Sequence, residues 1–345
     1  MRLFKDIHVS GRSVAAGLVL LLHLPASYAG DGGPRLPSFL VPGDKIALVS
    51  PSYYIKSEKV DSAAAVLQSW GFEVVKGPDR QYLESYAGTP EQRSEDILGL
   101  LRDTTVKAIL CNRGGYGTIH LLDGLSAEDF AQNPKWLIGY SDVTTLLGME
   151  VCSGVMGIHG PMGSSLVSED GSGISSRLLH DLLLGLIPRY VFPAHPCNVH
   201  GKAEGTLVGG NLSTLVPLLG TWADALGQED YILFVEEVGE STHNLDRLIN
   251  TIILRGALDR CKGVILGQFT DCKDDLGCDG AESLLCSYFK ALGVPVCCGF
   301  PAGHDTPNLP LIMGARVSLD VTASTSTLTF FIDAPRRTIY TSELE

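Results

Sequence analysis

The sequence has no Cys-x-x-Cys pair and no His-Glu-x-x-His run, so it lacks the common local zinc signatures. It has no Gly-x-x-x-x-Gly-Lys-Ser/Thr loop and no dinucleotide fingerprint, which sets aside nucleotide-dependent chemistry of those types. No cofactor and no metal are expected. Basic residues are scarce: 26 Lys and Arg stand against 39 Asp and Glu, a formal net charge of −13. Nucleic acids and anionic membranes are recognised by basic patches, so neither is an expected partner. After residue 29 no stretch approaches the ~20 apolar residues that a membrane-crossing helix needs. There is no internal repeat and no low-complexity run.

What is present begins with a leader. Arg2, Lys5 and Arg12 precede an apolar run from Val14 to Ala26, and Ser27-Tyr28-Ala29 supplies small residues at −3 and −1. This is the pattern of a secretory signal peptide over residues 1–29, cut after Ala29, with 30–39 as the mature N-terminal tail. An uncleaved anchor is the alternative, but His23 and Pro25 break the run. The expected location is periplasmic or secreted, with no membrane association after cleavage. Losing residues 1–29 removes three basic groups and one acidic one, leaving a charge of about −15. Nine cysteines, at 111, 152, 197, 261, 272, 278, 286, 297 and 298, leave at least one thiol unpaired. Cys111, Cys261, Cys297 and Cys298 lie in apolar runs and read as buried thiols. Cys272 and Cys278 flank an acidic loop, where an oxidising compartment permits a local disulfide. That loop, Asp271 to Asp279, lacks the spacing of a calcium loop and reads as a solvated insertion.

The length of 345 residues suggests two domains. Residues 43–155 alternate strand and helix. Strands are predicted at 45–49, 72–75, 107–111 and 135–138, and helices at 58–70, 90–101, 118–122 and 143–151. Thr89-Pro90-Glu91-Gln92 is a capping box with Pro at the first helical position. Such alternation predicts a parallel sheet with helices on both faces. Ser, Gly and Pro crowd the next stretch, which places a linker at 166–202 between an N-terminal α/β domain (40–165) and a C-terminal domain (203–345). The second half reads as α+β: strands at 203–208, 231–236, 262–266 and 294–297, helices at 243–254 and 281–292, and a closing antiparallel pair at 317–321 and 325–331.

Four stretches carry candidate chemistry. Ile138-Gly139-Tyr140-Ser141-Asp142 runs from an apolar strand through Gly-x-Ser into a helix, as a nucleophile elbow does; the backbone N–H of Asp142 then offers an oxyanion donor. Val143 replaces the second glycine of that motif, and an ordinary helix N-cap fits the same residues. Arg113-Gly114-Gly115-Tyr116-Gly117 also follows a strand, at the sheet end where ligands bind. It offers a second oxyanion donor at Gly115, or merely a tight turn. Glu236 ends an apolar strand, where a carboxylate needs a partner such as an imidazole, unless it is simply solvated. His304 sits in the Gly/Pro-rich loop Pro301–Asn308. Ser, acid, His is a chain order used by one large class of hydrolases.

Taken together, these stretches resemble the L,D-carboxypeptidase family, serine peptidases that include muramoyl-tetrapeptide carboxypeptidases and microcin-immunity peptidases. The resemblance runs over about residues 40–323. It is carried by Gly43–Ala47, Ser50-Pro51-Ser52, Arg113–Gly117, Gly139–Thr144, His159-Gly160-Pro161, Gly205–Leu212, Glu236, Gly303-His304 and Leu309–Gly314. It implies a Ser141–His304–Glu236 triad and an oxyanion hole from Asp142 and the Gly114–Gly115 loop. It further implies an N-terminal domain similar to class I glutamine amidotransferases, a smaller C-terminal domain, a site between the two and a homodimer. The implied substrate is a peptidoglycan-derived peptide ending in D-Ala, with Arg113, beside Gly114 and Tyr116, as the candidate for its free carboxylate. Glu237 stands where an Asp is frequent, and the leader is unusual in a family with many cytoplasmic members. Two other readings stay open: the same chemistry on another amide, such as a peptide-nucleotide antibiotic, and a periplasmic ligand-binding protein.

Overall fold

A computed structural model of the chain describes residues 33–168 and 170–344, so the leader and its cleavage site lie outside the described residues. The first half runs β1 (Lys45–Val49), α1 (Ser57–Ser69), β2 (Glu73–Lys76), α2 (Pro90–Arg102), β3 (Val106–Cys111), α3 (Ala127–Gln132), β4 (Trp136–Gly139), α4 (Thr144–Cys152) and β5 (Gly157–His159). After α5 (Gly163–Ser168) and α6 (Ile174–Leu183) come β6 (Ile187–Pro193), β7 (Gly201–Asn211), α7 (Leu212–Leu215), β8 (Tyr231–Val238), α8 (Thr242–Leu254), β9 (Cys261–Thr270), α9 (Ala281–Lys290) and β10 (Val296–Cys297). The chain closes with β11 (Leu311–Met313), β12 (Arg316–Val321), β13 (Thr325–Phe330) and β14 (Arg336–Tyr340).

Two sheets result, and the class is mixed α/β. The first has the order β11-β5-β4-β3-β1-β2 and is parallel except for β11. Its inner strands are unbroken apolar runs (ALV, AILC, WLI) buried along their length, as strands covered by helices on both faces must be. The second sheet has the order β10-β9-β8-β7-β12-β13-β6-β14. Its β7 to β10 part is parallel, and β7-β12-β13-β6 is antiparallel. The Thr89 capping box forms in full: the Gln92 amide donates to Thr89 Oγ1, and the Thr89 amide donates to Gln92 Oε1. The acidic loop is more than solvated, because the Asp274 carboxylate accepts the amides of Gly277, Cys278 and Gly280. No described helix is long and apolar enough to cross a membrane.

Two expectations need correction, and one open possibility is answered. The stretch 166–202 is no linker: it holds α6 and then β6, which lies between β13 and β14 in the second sheet. Leu178, Leu179, Leu182 and Leu183 supply a buried helical face there, and Tyr190 and Phe192 a buried strand face. The turn residues around these segments obscured both periods. The predicted helix at 118–122 is a single 3-10 turn, Thr118–Leu121, begun from a left-handed Gly117. No disulfide joins Cys272 to Cys278, and all nine thiols are free. Cys272 Sγ faces the Glu237 carbonyl, whereas Cys278 Sγ turns to the Asp274 carboxylate and the Gly280 carbonyl. Cys111, Cys261, Cys297 and Cys298 are buried.

The halves are also interleaved. β11 comes from the second half yet pairs with β5 in the first sheet. The loop from β10 to β11 therefore passes from one sheet to the other, and His304 is on it. One glycine lets the halves meet closely. A Cβ on Gly210 would lie 2.5 Å from Thr144 Oγ1 at the start of α4, and the next amide, Asn211, donates to that hydroxyl at 3.0 Å.

Candidate active site

Ser141 stands between β4 and α4 with φ +62°, in the left-handed region that side chains disfavour by roughly 1–2 kcal/mol. This is the strained strand–turn–helix corner that presents a nucleophile. The sequence departs from the usual elbow at Val143, and the structure gives the reason. The close approach is met by Gly139, where a Cβ would lie 2.7 Å from the Val143 side chain. The buried Asp142 carboxylate then clamps the turn. It accepts from Ser52 Oγ at 2.6 Å and from the Thr118 amide at 3.0 Å, while Thr118 Oγ1 donates to the Asp142 carbonyl. Asp142 therefore contributes an anchoring side chain, a role the sequence reading did not assign to it.

The glycine loop abuts the elbow. A Cβ on Gly114 would lie 2.9 Å from Ser141 Cβ, 3.1 Å from its Oγ and 3.4 Å from the Asp142 amide. Only a residue without a side chain leaves that space open. Gly115 has φ +128°, and a Cβ there would strike the Tyr53 ring at 2.4 Å. Arg93, wholly buried in α2, holds this loop from beneath: its guanidinium donates to the carbonyls of Pro51, Gly88 and Gly117. Sequence reasoning missed Arg93. Its place one helical turn before Ile97 and two before Leu101, on the buried face, is the signal that marks it.

Glu236 lies at the second-last position of the buried run of β8, before the equally buried Glu237, and is itself fully buried. Its Oε2 lies 2.7 Å from His304 Nδ1, while Oε1 meets no hydrogen-bond donor. Opposite Glu236 the register of β9 slips at Gly267 and Gln268, a bulge of the kind that re-aims side chains beside active sites. The His304 loop is pinned by Gln268, which accepts from the Asp305 amide and donates to the Pro307 carbonyl. Asn308 adds a further tie by accepting from the Gly303 amide. Gly303, at φ +146°, lets the loop close down, since a Cβ there would lie 3.2 Å from Glu236 Oε2. Gln268 and Asn308 carry no sequence signal of this role.

Ser141 and His304 line one cavity of about 350 Å³, together with Arg113, Gly114, Gly115, Tyr140 and the cationic Lys59. The Tyr140 ring meets the His304 ring edge-on, 5.0 Å between centroids. Among the described residues no hydrogen bond joins Ser141 Oγ to His304. Ser141 also borders a second cavity of about 420 Å³, lined by Asp142, Tyr116, Asn211, Ser213 and Glu237. Arg113 and Gly114 thus face the first cavity and Tyr116 the second, so the three residues expected to hold substrate are divided between them. Burial raises the Glu237 carboxyl, while the Val238 amide, Asn211 and Ser213 hydrogen-bond to it and oppose the shift. Behind Tyr140 lies His159, fully buried against Tyr140 and Phe234 with neither ring nitrogen paired. Burial first, and then nearby His304, pushes His159 down to about 3, so it is neutral in the folded protein.

The LD-carboxypeptidase N-terminal domain family matches residues 46–160, and the LD-carboxypeptidase C-terminal domain family matches residues 204–319. The murein tetrapeptide carboxypeptidase of Pseudomonas aeruginosa is 30% identical over 273 residues, 76% of this chain and 89% of that relative. The microcin C7 self-immunity protein of Escherichia coli is 26% identical over 83% of this chain and 93% of its own length. Among solved structures, muramoyltetrapeptide carboxypeptidase from Oxalobacter formigenes superposes with a TM-score of 0.77 at 28% identity, covering 84% of this chain and 99% of that one. An elbow serine, a glycine loop beside it and a buried Glu–His pair from the other half thus accompany matches across both domains: the chain belongs to the LD-carboxypeptidase family of peptidases.

Proposed function

We propose that this protein is a serine L,D-carboxypeptidase that releases the terminal D-amino acid, D-Ala, from murein tetrapeptides. The observation that carries the reading is the 2.7 Å Glu236–His304 pair, opening onto the same cavity as a serine held in left-handed backbone. His304 takes the Ser141 proton as Ser141 attacks the amide carbon. Glu236 holds the proton on Nδ1, leaving Nε2 as the base, and stabilises the imidazolium. The Asp142 amide and an amide of the Gly114–Gly115 loop receive the oxyanion. The imidazolium then protonates the departing amine of D-Ala, and water delivered by the same His304 hydrolyses the acyl-enzyme. The Ser141–His304 bond forms as substrate closes the site, since such bonds are often open without ligand.

The two cavities on either side of Ser141 suit the two ends of this substrate. The first carries Arg113 and Lys59, cations for the free α-carboxylate of D-Ala. The second, with Glu237 and Asn211, suits the polar end of a diamino acid. The relatives' names support murein as the source of the peptide. With the leader cut after Ala29, the protein would act outside the cytoplasm, as a homodimer. The test is incubation of the purified protein with a murein tetrapeptide and mass spectrometry of the products. Loss of one D-Ala per peptide is expected, and Ser141→Ala, folded as judged by circular dichroism, should abolish it. Retained turnover in that variant removes Ser141 from the chemistry.

A further inference from the structure

Away from both cavities, a second group of reactive side chains converges in the C-terminal half. The turn after β6 brings His195 against the start of α9, where Glu282 and Cys286 stand four residues apart on one helix face. Cys298 follows β10 directly. One donor atom from each of His195, Glu282 and Cys298 lies within 4.8 Å of the other two. His195 Nε2 is 3.7 Å from Glu282 Oε2, and Cys286 Sγ is 3.6 Å from Cys298 Sγ. Glu282 Oε1 is buried with no hydrogen-bond partner.

We propose that His195, Glu282, Cys286 and Cys298 form a structural zinc site. An imidazole, a carboxylate and two thiols make a donor set suited to Zn²⁺, a borderline-soft ion that takes four protein ligands in structural sites. Zn–S bonds of ~2.3 Å in a tetrahedron put two sulfurs about 3.8 Å apart. The observed 3.6 Å is close to that edge. A disulfide needs ~2.05 Å and would leave the convergence of His195 and Glu282 without a cause. His195, Glu282 and Cys298 form the converged core, and Cys286 joins by turning its side chain. Loading exchanges existing contacts. The Cys286 thiol now donates to the Cys197 carbonyl at 2.9 Å, and His195 Nδ1 accepts the Cys197 amide at 3.2 Å. On binding, the two thiols release their protons to solvent, and the imidazole carries its proton on Nδ1 so that the Nε2 lone pair faces the metal. Cys298 begins the segment that reaches His304 six residues later. The metal would tie that segment to α9 and to the β6–β7 connection, and it takes no part in the hydrolysis proposed above.

The test uses the untagged full chain, stripped by chelator under a phosphine reductant and titrated with Zn²⁺ against a chromophoric competitor. One equivalent per chain is expected to bind. Cys298→Ser and His195→Ala should weaken binding at least 100-fold with unchanged circular dichroism, while Ser141→Ala binds as the parent does. Co²⁺ in place of Zn²⁺ should give a sulfur-to-metal charge-transfer band and tetrahedral visible absorption, both lost in Cys298→Ser. Failure of the reduced chain to bind Zn²⁺, or equal affinity in Cys298→Ser, overturns the proposal. So does an isolated protein cross-linked between Cys286 and Cys298 that takes up no metal once reduced. Metal binding without D-Ala release would leave the zinc site standing and remove the hydrolase reading alone.

Discussion

Replacing Glu236 by Gln changes one charge at one buried atom pair and leaves the volume almost the same. Glu236 Oε2 and His304 Nδ1 are 2.7 Å apart, with the carboxylate fully buried and the imidazole side chain 16% exposed. During attack His304 becomes cationic. Two unit charges at that distance attract by about 6 kcal/mol at an effective dielectric constant of ~20. Gln removes this attraction, and its amide can also donate to Nδ1, which drives the proton to Nε2 and leaves the imidazole unable to act as base. At ~1.4 kcal/mol per tenfold, the loss corresponds to about 10⁴-fold in kcat, the size of effect that a neutralised triad acid produces elsewhere. The assay is D-Ala release from a murein tetrapeptide, followed by a coupled oxidase, with KM and Tm measured beside kcat. KM and Tm should move little, since the Gln keeps the shape and no longer needs a buried charge. A kcat within tenfold of the parent, at unchanged Tm, would refute the argument that Glu236 orients and stabilises His304.

Two further predictions follow from the surrounding geometry. Gly114→Ala places a methyl 3.1 Å from Ser141 Oγ and 3.4 Å from the Asp142 amide, filling the expected oxyanion space. kcat should fall roughly 10²- to 10³-fold with a near-normal urea midpoint, and a variant of full activity would move the oxyanion elsewhere. His159, pushed from 6.5 down to about 3, stays neutral in the fold while the unfolded chain takes up a proton. Its contribution is therefore fully present above pH 6.5 and is lost as pH falls toward 3, by up to ~1.4 kcal/mol per pH unit and on the order of 5 kcal/mol in all. Urea titrations from pH 7 to 4 should show a shallower decline for His159→Leu than for the parent; parallel slopes would contradict the buried, neutral assignment.

The sequence alone was enough for β1 to β4 of the first sheet, because each is a short apolar run followed by a helical period and local pattern decides both; the short β5 and β11 that complete the sheet were not predicted. It was enough for the capping box at Thr89, where two side chains and two amides three residues apart satisfy one another. It also marked Ser141, Glu236 and His304 as candidates, by an elbow, a buried acid at a strand end and a loop histidine. It could not show which of them meet. The Glu236–His304 contact spans 68 residues and depends on β11 returning to the first sheet, which carries the His304 loop across. Strand β6 was hidden because its pairing partners, β13 and β14, lie far along the chain, and α6 and β6 alike are flanked by turn residues. Gln268 and Asn308 act through carbonyls and amides brought near by folding, so their side chains announce nothing in one dimension, whereas Arg93 is marked only by its place on the buried face of α2. The same holds for His195, Glu282, Cys286 and Cys298: no short spacing links all four, and only the packing of α9 against the β6–β7 turn and the end of β10 brings their donor atoms to one point. Local periodicity and capping are short-range physics, read from neighbours in sequence; the pairing of charged and reactive groups is settled by which surfaces the folded core presses together.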